Sequence, residues 1–268
     1  MTTKPEKYHQ EEDAYEDGEG PYEDGEGAQM GLLEHLDELR IRLTKAVLAL
    51  AISTTLTGFL FTDPLLDYLI SPVDTGSESF KLQTLGPTES VIVYFKVALI
   101  AGVIFAIPIV IWQLAGFIEP ALKKNEKAMI LRSIPFAVLF FLAGVAFAWF
   151  IMAPTALQFL REFQSDVFFN EWTADNYLGF ITSLLFWIGL SFETPLLFYL
   201  LAKMGLVSAE GLRSQWRLAV VAVSVVAAMI TPTVDPFNMG LVMGPLLGLY
   251  VLSILAVKIA YPEELKEE

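Results

Sequence analysis

The sequence of 268 residues contains no cysteine and only two histidines, His9 and His35. Without cysteine there is no disulfide framework, thiolate metal site, iron–sulfur cluster or thiol nucleophile, although the redox compartment stays open. Two histidines, both ahead of the first apolar run, leave no membrane-embedded Ser–His pair, which excludes a rhomboid-like protease. Basic residues are also scarce, 17 Lys and Arg against 31 Asp and Glu, and no clustered cations exist to neutralise phosphates, so no nucleic-acid partner is expected. The phosphate-cradling spacing of two glycines followed by Lys-Ser/Thr is missing, as is any large soluble domain for a nucleotide. The chain therefore reads as a non-enzyme without cofactor or metal, and any work it performs draws on energy from elsewhere.

What the sequence has in excess is apolar length. It is 54% hydrophobic with 13% aromatics and a mean hydropathy of +0.54, more apolar than an ordinary soluble domain. Long uncharged runs cover 46–62, 97–118, 133–160, 176–202 (interrupted only by Glu193), 218–234 and 237–257. They predict an all-α polytopic membrane protein with six transmembrane helices. The flanking cations set its orientation. One side carries Arg40, Arg42, Lys45, Lys123, Lys124, Lys127, Arg132, Lys203, Arg213, Arg217, Lys258 and Lys266, the other only Lys81 and Arg161, with Lys96 just inside the second span. Both termini are predicted to be cytoplasmic, in a cell membrane. The last two spans read as short, since the stretch from Leu218 to Thr231-Pro232 makes only about 20 Å of helix against a hydrocarbon core of roughly 30 Å. Prolines 108, 135, 154, 195 and 245 predict either ordinary kinks or a cupped bundle presenting a groove.

The acidity sits at the ends. Residues 1–30 hold ten acids and two lysines, −8, and 262–268 hold four acids and one lysine, −3, which leaves −3 of the total −14 for 31–261. The first stretch contains a direct repeat, Tyr15-Glu-Asp-Gly-Glu-Gly20 and Tyr22-Glu-Asp-Gly-Glu-Gly27, with no apolar periodicity. Residues 1–30 are predicted to be a disordered acidic tail, 31–260 a six-helix membrane domain and 261–268 a short acidic C-terminal tail. The N-terminal tail is either a solvated, self-repelling segment or a docking element.

Several charges stand out by position. Leu32, Leu36, Leu39 and Leu43 share one helical face while Glu34, Glu38 and Arg42 occupy another, which predicts an amphipathic helix along the inner interface before the first span. Glu38 and Arg42 can pair at i, i+4. Glu126 follows Gly116-Phe-Ile-Glu-Pro-Ala-Leu-Lys-Lys-Asn and is either local charge balance among lysines or, with Glu38, a receiver of a cationic ligand. Guanidinium suits carboxylates best, since its planar fork donates two parallel charge-assisted bonds. Glu193, inside the fourth span, costs roughly 2.5 to 3.5 kcal/mol to insert as a charge. It reads either as a neutral acid bonded to a neighbouring helix or as a polar site for a substrate or partner helix. Asp235 lies in the tight turn Thr231-Pro-Thr-Val-Asp-Pro236, where turn formation is its default role.

Taken in order, His35-Leu-Asp-Glu-Leu-Arg-Ile-Arg42, Pro87-Thr-Glu89, Phe117-Ile-Glu-Pro-Ala-Leu122 with Asn125-Glu126, Ser191-Phe-Glu-Thr-Pro195 and Thr231-Pro-Thr-Val-Asp235 resemble the twin-arginine translocase receptor subunit family, TatC. The resemblance covers roughly 31–260. It implies a cupped receptor for folded-protein export, driven by the proton-motive force. The implied partners are Arg-Arg signal peptides, single-span TatA/TatB-type subunits, further copies of itself and the lipid bilayer. By residue, it implies that Glu38 and Glu126, with Arg40 and Phe117 beside them, receive the arginine pair. It likens Glu193 to an intramembrane site where partner helices dock, and Pro72 and Asp235 to an outer-loop proline and an outer-turn acid. After Glu126 this chain has Lys127-Ala128 where the family usually has arginines. Two rival functions remain at this stage: a proton-coupled small-molecule transporter using Glu193, and a scaffold that only assembles other membrane subunits.

Overall fold

A computed structural model describes residues 32–71, 82–121, 124–163, 172–231 and 236–260, the side chains of 32–35, 121, 124 and 125 excepted. The described residues are helical throughout apart from short connections, and their one β-bridge pairs Gln83 with Thr173. Among the described residues five helical stretches are long and apolar enough to cross a bilayer, and a sixth apolar helix is shorter. The two predicted tails, 1–30 and 261–268, lie outside the described residues.

Helix α1 (Leu32–Leu60) is a single element of 29 residues, about 44 Å at 1.5 Å per residue. This corrects the expectation of a separate interfacial helix. No proline interrupts 32–60, so nothing stops the amphipathic start from propagating into the span. Its leucine face points away from the protein, with Leu36, Leu39 and Leu43 exposed. The helix rests mainly on α3 (Glu89–Ile118). The two backbones come close where Gly102 meets Thr54, leaving no room for a Cβ, and Tyr94 donates its hydroxyl to the Gly58 carbonyl. A short helix, α2 (Thr62–Ile70), turns off the end of α1.

The third apolar stretch runs without a break from Glu126 to Glu162, through α4 (Lys124–Phe147), one π-helical turn (Ala148–Met152) and α5 (Ala153–Glu162). Pro154 explains the turn. Its ring displaces the carbonyl that an α-helix would place beneath it, and the ladder slips by one residue, so that Ala153 N–H bonds to Ala148 O. The fourth stretch divides into α6 (Ala174–Ser191) and α7 (Thr194–Lys203). Pro195 removes a donor at the start of α7, and Phe192 and Glu193 form the joint.

After α8 (Ala209–Ser214), α9 (Trp216–Ile230) has 15 residues, about 22 Å, and is short as predicted. The sixth helix is not short. Helix α10 (Pro236–Ala260) has 25 residues, about 38 Å, and the apolar run 237–257 by itself gives about 32 Å, enough to match the hydrocarbon core. The core forms around α6, whose Leu178, Ile181, Leu184 and Ile188 are almost fully buried. Helices α4 and α6 meet through paired glycines: a Cβ on Gly144 would lie 2.9 Å from the Gly189 Cα. Small residues let membrane helices approach this closely.

Candidate functional site

Antiparallel packing of α1 on α3 brings the start of α1 to the end of α3. Glu38 Oε1 accepts a hydrogen bond from Arg42 Nη2 at 3.1 Å, one helical turn along, with the two side chains only 16% and 26% exposed. The predicted i, i+4 pair therefore forms, but it uses one oxygen of the carboxylate. The other, Oε2, is buried and has no partner among the described residues. A buried acceptor without a donor costs of order 1 to 3 kcal/mol or more, so this end of α1 holds unspent capacity to accept a hydrogen bond.

The guanidinium of Arg42 is packed on Gly116 of α3, and Phe117, the next residue along α3, is half-buried. One turn earlier on α3, Gln113 Oε1 is also buried without a partner among the described residues. Arg40 is exposed, and its backbone carbonyl accepts from Thr44 Oγ1 at 2.7 Å. Glu126 stands in the first turn of α4 and is half-buried. It is brought toward the end of α3 by a small apolar cluster of Ala115, Ile130 and Ile134, with Ile111 and Met204 against it. Arg40, Glu38, Phe117 and Glu126 thus lie on three helix ends at the same end of the bundle. Sequence reasoning gave no role to Gly116 or Gln113. A glutamine in an apolar run was a visible signal; the glycine carried none.

From this end a groove of about 700 Å³ climbs between α1 and α3. It starts at Lys45, one turn beyond Arg42, passes Ala49, Ile52 and Ile109, and ends at Phe61 and Phe105. Its walls are almost wholly apolar, and Lys45 is the charged residue at its mouth.

Glu193 sits at the joint between α6 and α7, half-buried, and its Oε1 is buried without a partner among the described residues. The joint explains why an acid is tolerated there: the backbone leaves the helical ladder within the span. Glu193 lines neither the α1–α3 groove nor a second cavity of about 280 Å³ between α2, α3, α4 and α6. Pro72 and Asp235 lie outside the described residues.

The opposite end carries a different constellation. Glu89 Oε2 accepts from Leu85 N at 2.6 Å, and its Oε1 accepts from Asp175 N at 3.1 Å. The Asp175 carboxylate is ion-paired to Lys96. Gln83 N donates to Trp172 O at 3.1 Å, and Ala174 N donates to Gln83 O at 2.8 Å. The segment leading into α3 is thereby tied to the start of α6.

The family model described as Sec-independent protein translocase protein (TatC) matches residues 34–245. Among curated relatives, the Sec-independent protein translocase protein TatC of Carboxydothermus hydrogenoformans is 36% identical over 239 residues, 89% of this chain and 97% of that one. The protein of the same description from Helicobacter pylori strain J99 is 38% identical over 233 residues, 86% of this chain and 90% of its own. A solved structure, the crystal structure of the twin-arginine translocase receptor TatC, superposes with a TM-score of 0.78 at 34% identity, covering 85% of this chain and 99% of that one.

Proposed function

The chain belongs to the TatC family of Sec-independent protein translocase proteins, and from that premise we propose that it is the core receptor of a twin-arginine translocase. It is a multi-pass membrane protein. In this reading both termini and the Glu38 end face the cytoplasm, as the excess of cations at that end supports. An Arg-Arg signal peptide of a folded cargo protein places its guanidiniums at Glu38 and Glu126, with Arg40 and Phe117 beside them. Its apolar segment follows into the α1–α3 groove, whose polar mouth and apolar walls suit such a peptide. Single-span TatA/TatB-type subunits then assemble, with Glu193 as a polar contact within the membrane and Pro72 and Asp235 acting from the outer loops. The receptor itself performs no covalent chemistry, and the proton-motive force supplies the work.

The observation that carries the proposal is the half-used carboxylate of Glu38, a buried oxygen without a donor among the described residues, about two helical turns before the groove that opens at Lys45. A peptide guanidinium supplies donors that the fold leaves out. The small-molecule transporter reading would rest on Glu193, which lines neither the α1–α3 groove nor the cavity between α2, α3, α4 and α6, whereas the family and its solved structure are those of a protein translocase.

The test is to titrate detergent-solubilised protein with an Arg-Arg signal peptide and with its Lys-Lys counterpart, then to repeat with Glu38→Ala and Glu126→Ala. The expected result is tighter binding of the Arg-Arg peptide and at least a roughly thirtyfold loss in either variant, since truncating one partner of a hydrogen-bonded charge pair costs about 2 kcal/mol or more. Equal affinities in all combinations would remove the receptor assignment.

A further inference from the structure

The face of Gly116 is occupied by a guanidinium. A Cβ built there would run into Cζ, Nη1 and Nη2 of Arg42 together, so the planar group lies on the bare glycine backbone. The same guanidinium reaches Glu38 by one end-on bond, Nη2 to Oε1 at 3.1 Å, whereas a carboxylate and a guanidinium can form two parallel bonds. Glu38 and Gly116 together make a seat for one arginine head, with an acid at its edge and no side chain on its floor. That seat holds the chain's own arginine.

We propose that Arg42 is a resident competitor for this seat, and that a signal-peptide arginine binds by exchanging it out rather than by adding beside it. The inference rests on the proposed reading of Glu38 as an arginine receiver. Its physical reason is the space on the glycine floor, since a carboxylate oxygen that accepts one bond keeps a second lone pair. A two-bonded fork needs both oxygens of Glu38, and Oε1 is engaged by Arg42 Nη2. The glycine floor accommodates a flat group in contact, and Arg42 already covers it. Oε2 has no partner among the described residues, and an incoming guanidinium adds the second bond of the fork, to Oε1, only when Arg42 leaves. Displacing Arg42 is then an affinity threshold that selects for arginine. A lysine ammonium is a point charge that neither lies flat on the glycine nor forms the fork, so it recovers less on displacing the resident.

Occupancy of a site by an internal competitor lowers the apparent affinity by the fraction of molecules in which the site is open. Weakening the competitor at constant charge should therefore tighten binding. The decisive variant is Arg42→Lys, with the Arg-Arg signal peptide as probe and the full chain in detergent. Exchange predicts a roughly three- to tenfold gain in affinity, given the usual strength of charge-assisted side-chain bonds. Unchanged affinity would mean that Arg42 acts through charge alone, and reduced affinity that it merely orients Glu38; either outcome overturns the proposal. Gly116→Ala gives an independent reading. The added methyl fills the seat without altering charge, so exchange predicts weaker Arg-Arg binding and a narrowed preference over the Lys-Lys peptide. If arginine instead added beside Arg42, pushing Arg42 away would free Glu38 and leave binding equal or tighter.

N-methylguanidinium, titrated while the side-chain nitrogen resonances of Arg42 are followed by NMR, separates failure of this inference from failure of the receptor reading. A shift of the Arg42 signals with no binding of the Arg-Arg peptide would keep the seat and reject the receptor. Peptide binding with the Arg42 signals unmoved would do the reverse.

Discussion

Glu38 and Glu89 are both half-buried glutamates near the ends of long apolar helices, at opposite ends of the bundle, and they differ in what is left over. Glu89 has both oxygens engaged by backbone donors, from Leu85 on one side and Asp175 on the other. Glu38 has one oxygen bonded to Arg42 and one buried without a partner among the described residues. A carboxylate whose lone pairs are answered by backbone N–H groups is part of the scaffold, fixing a loop against a helix start. A carboxylate answered only in part, by a side chain that can move, is available to a ligand. The same residue type thus serves structure at one end and, in the proposed function, recognition at the other, and hydrogen-bond accounting tells them apart.

The largest effect that could break this contrast is expected from Glu38→Gln. It should abolish most Arg-Arg peptide binding, roughly thirtyfold or more, while leaving thermal stability in detergent nearly unchanged; calorimetry alongside peptide titration reads both. A large drop in unfolding temperature would return Glu38 to a scaffold role. Glu89→Gln should behave in the opposite sense. Weakening charge-assisted bonds to backbone donors should lower the unfolding temperature and leave peptide affinity within about twofold. A strong binding defect without unfolding would show that the two ends are coupled. The smallest effect is expected from Lys96→Met, which removes the ion pair to Asp175. That pair is more than a third exposed on both sides, so its loss should cost no more than about 1 kcal/mol. A larger loss would mean that the tie between α3 and α6 depends on charge rather than on backbone bonds.

Much of the fold was legible in the chain because the signals are local. Apolar length marked the spans, and 97–118 and 176–202 fall within the observed helices α3 and α6–α7. Pro195 marked a bend beside Glu193, as a missing N–H weakens the ladder, but it did not mark a joint, because α3, α4 and α10 continue through Pro108, Pro135 and Pro245. The short fifth helix followed from Thr231-Pro232. The continuity of α1 was less legible. Its first turns read as an interfacial helix by amphipathic pattern, yet no breaker separates them from the span, and cooperative propagation carried the helix through. The π-turn before Pro154 was likewise settled by how the ladder adjusts.

For the candidate site, the carboxylates were visible because charge beside an apolar run is conspicuous. The i, i+4 spacing also predicted the Glu38–Arg42 pair. Gly116 was not visible as part of the site, because a glycine near a helix end signals only permissive backbone until the group resting on it is known. The unpartnered oxygen of Glu38 had no local signature either, since an orphaned acceptor is defined by what fails to surround it.

Composition and order along the chain determined that this protein is helical, where its apolar stretches lie and which acids stand against the pattern, for these depend on the solvent preference of each segment. Only the packing of α1 on α3 decided that an arginine head lies on a bare glycine and that one glutamate oxygen stays unanswered. Those facts arise between segments some seventy residues apart, where contact distance and mutual burial, rather than local preference, set the energy.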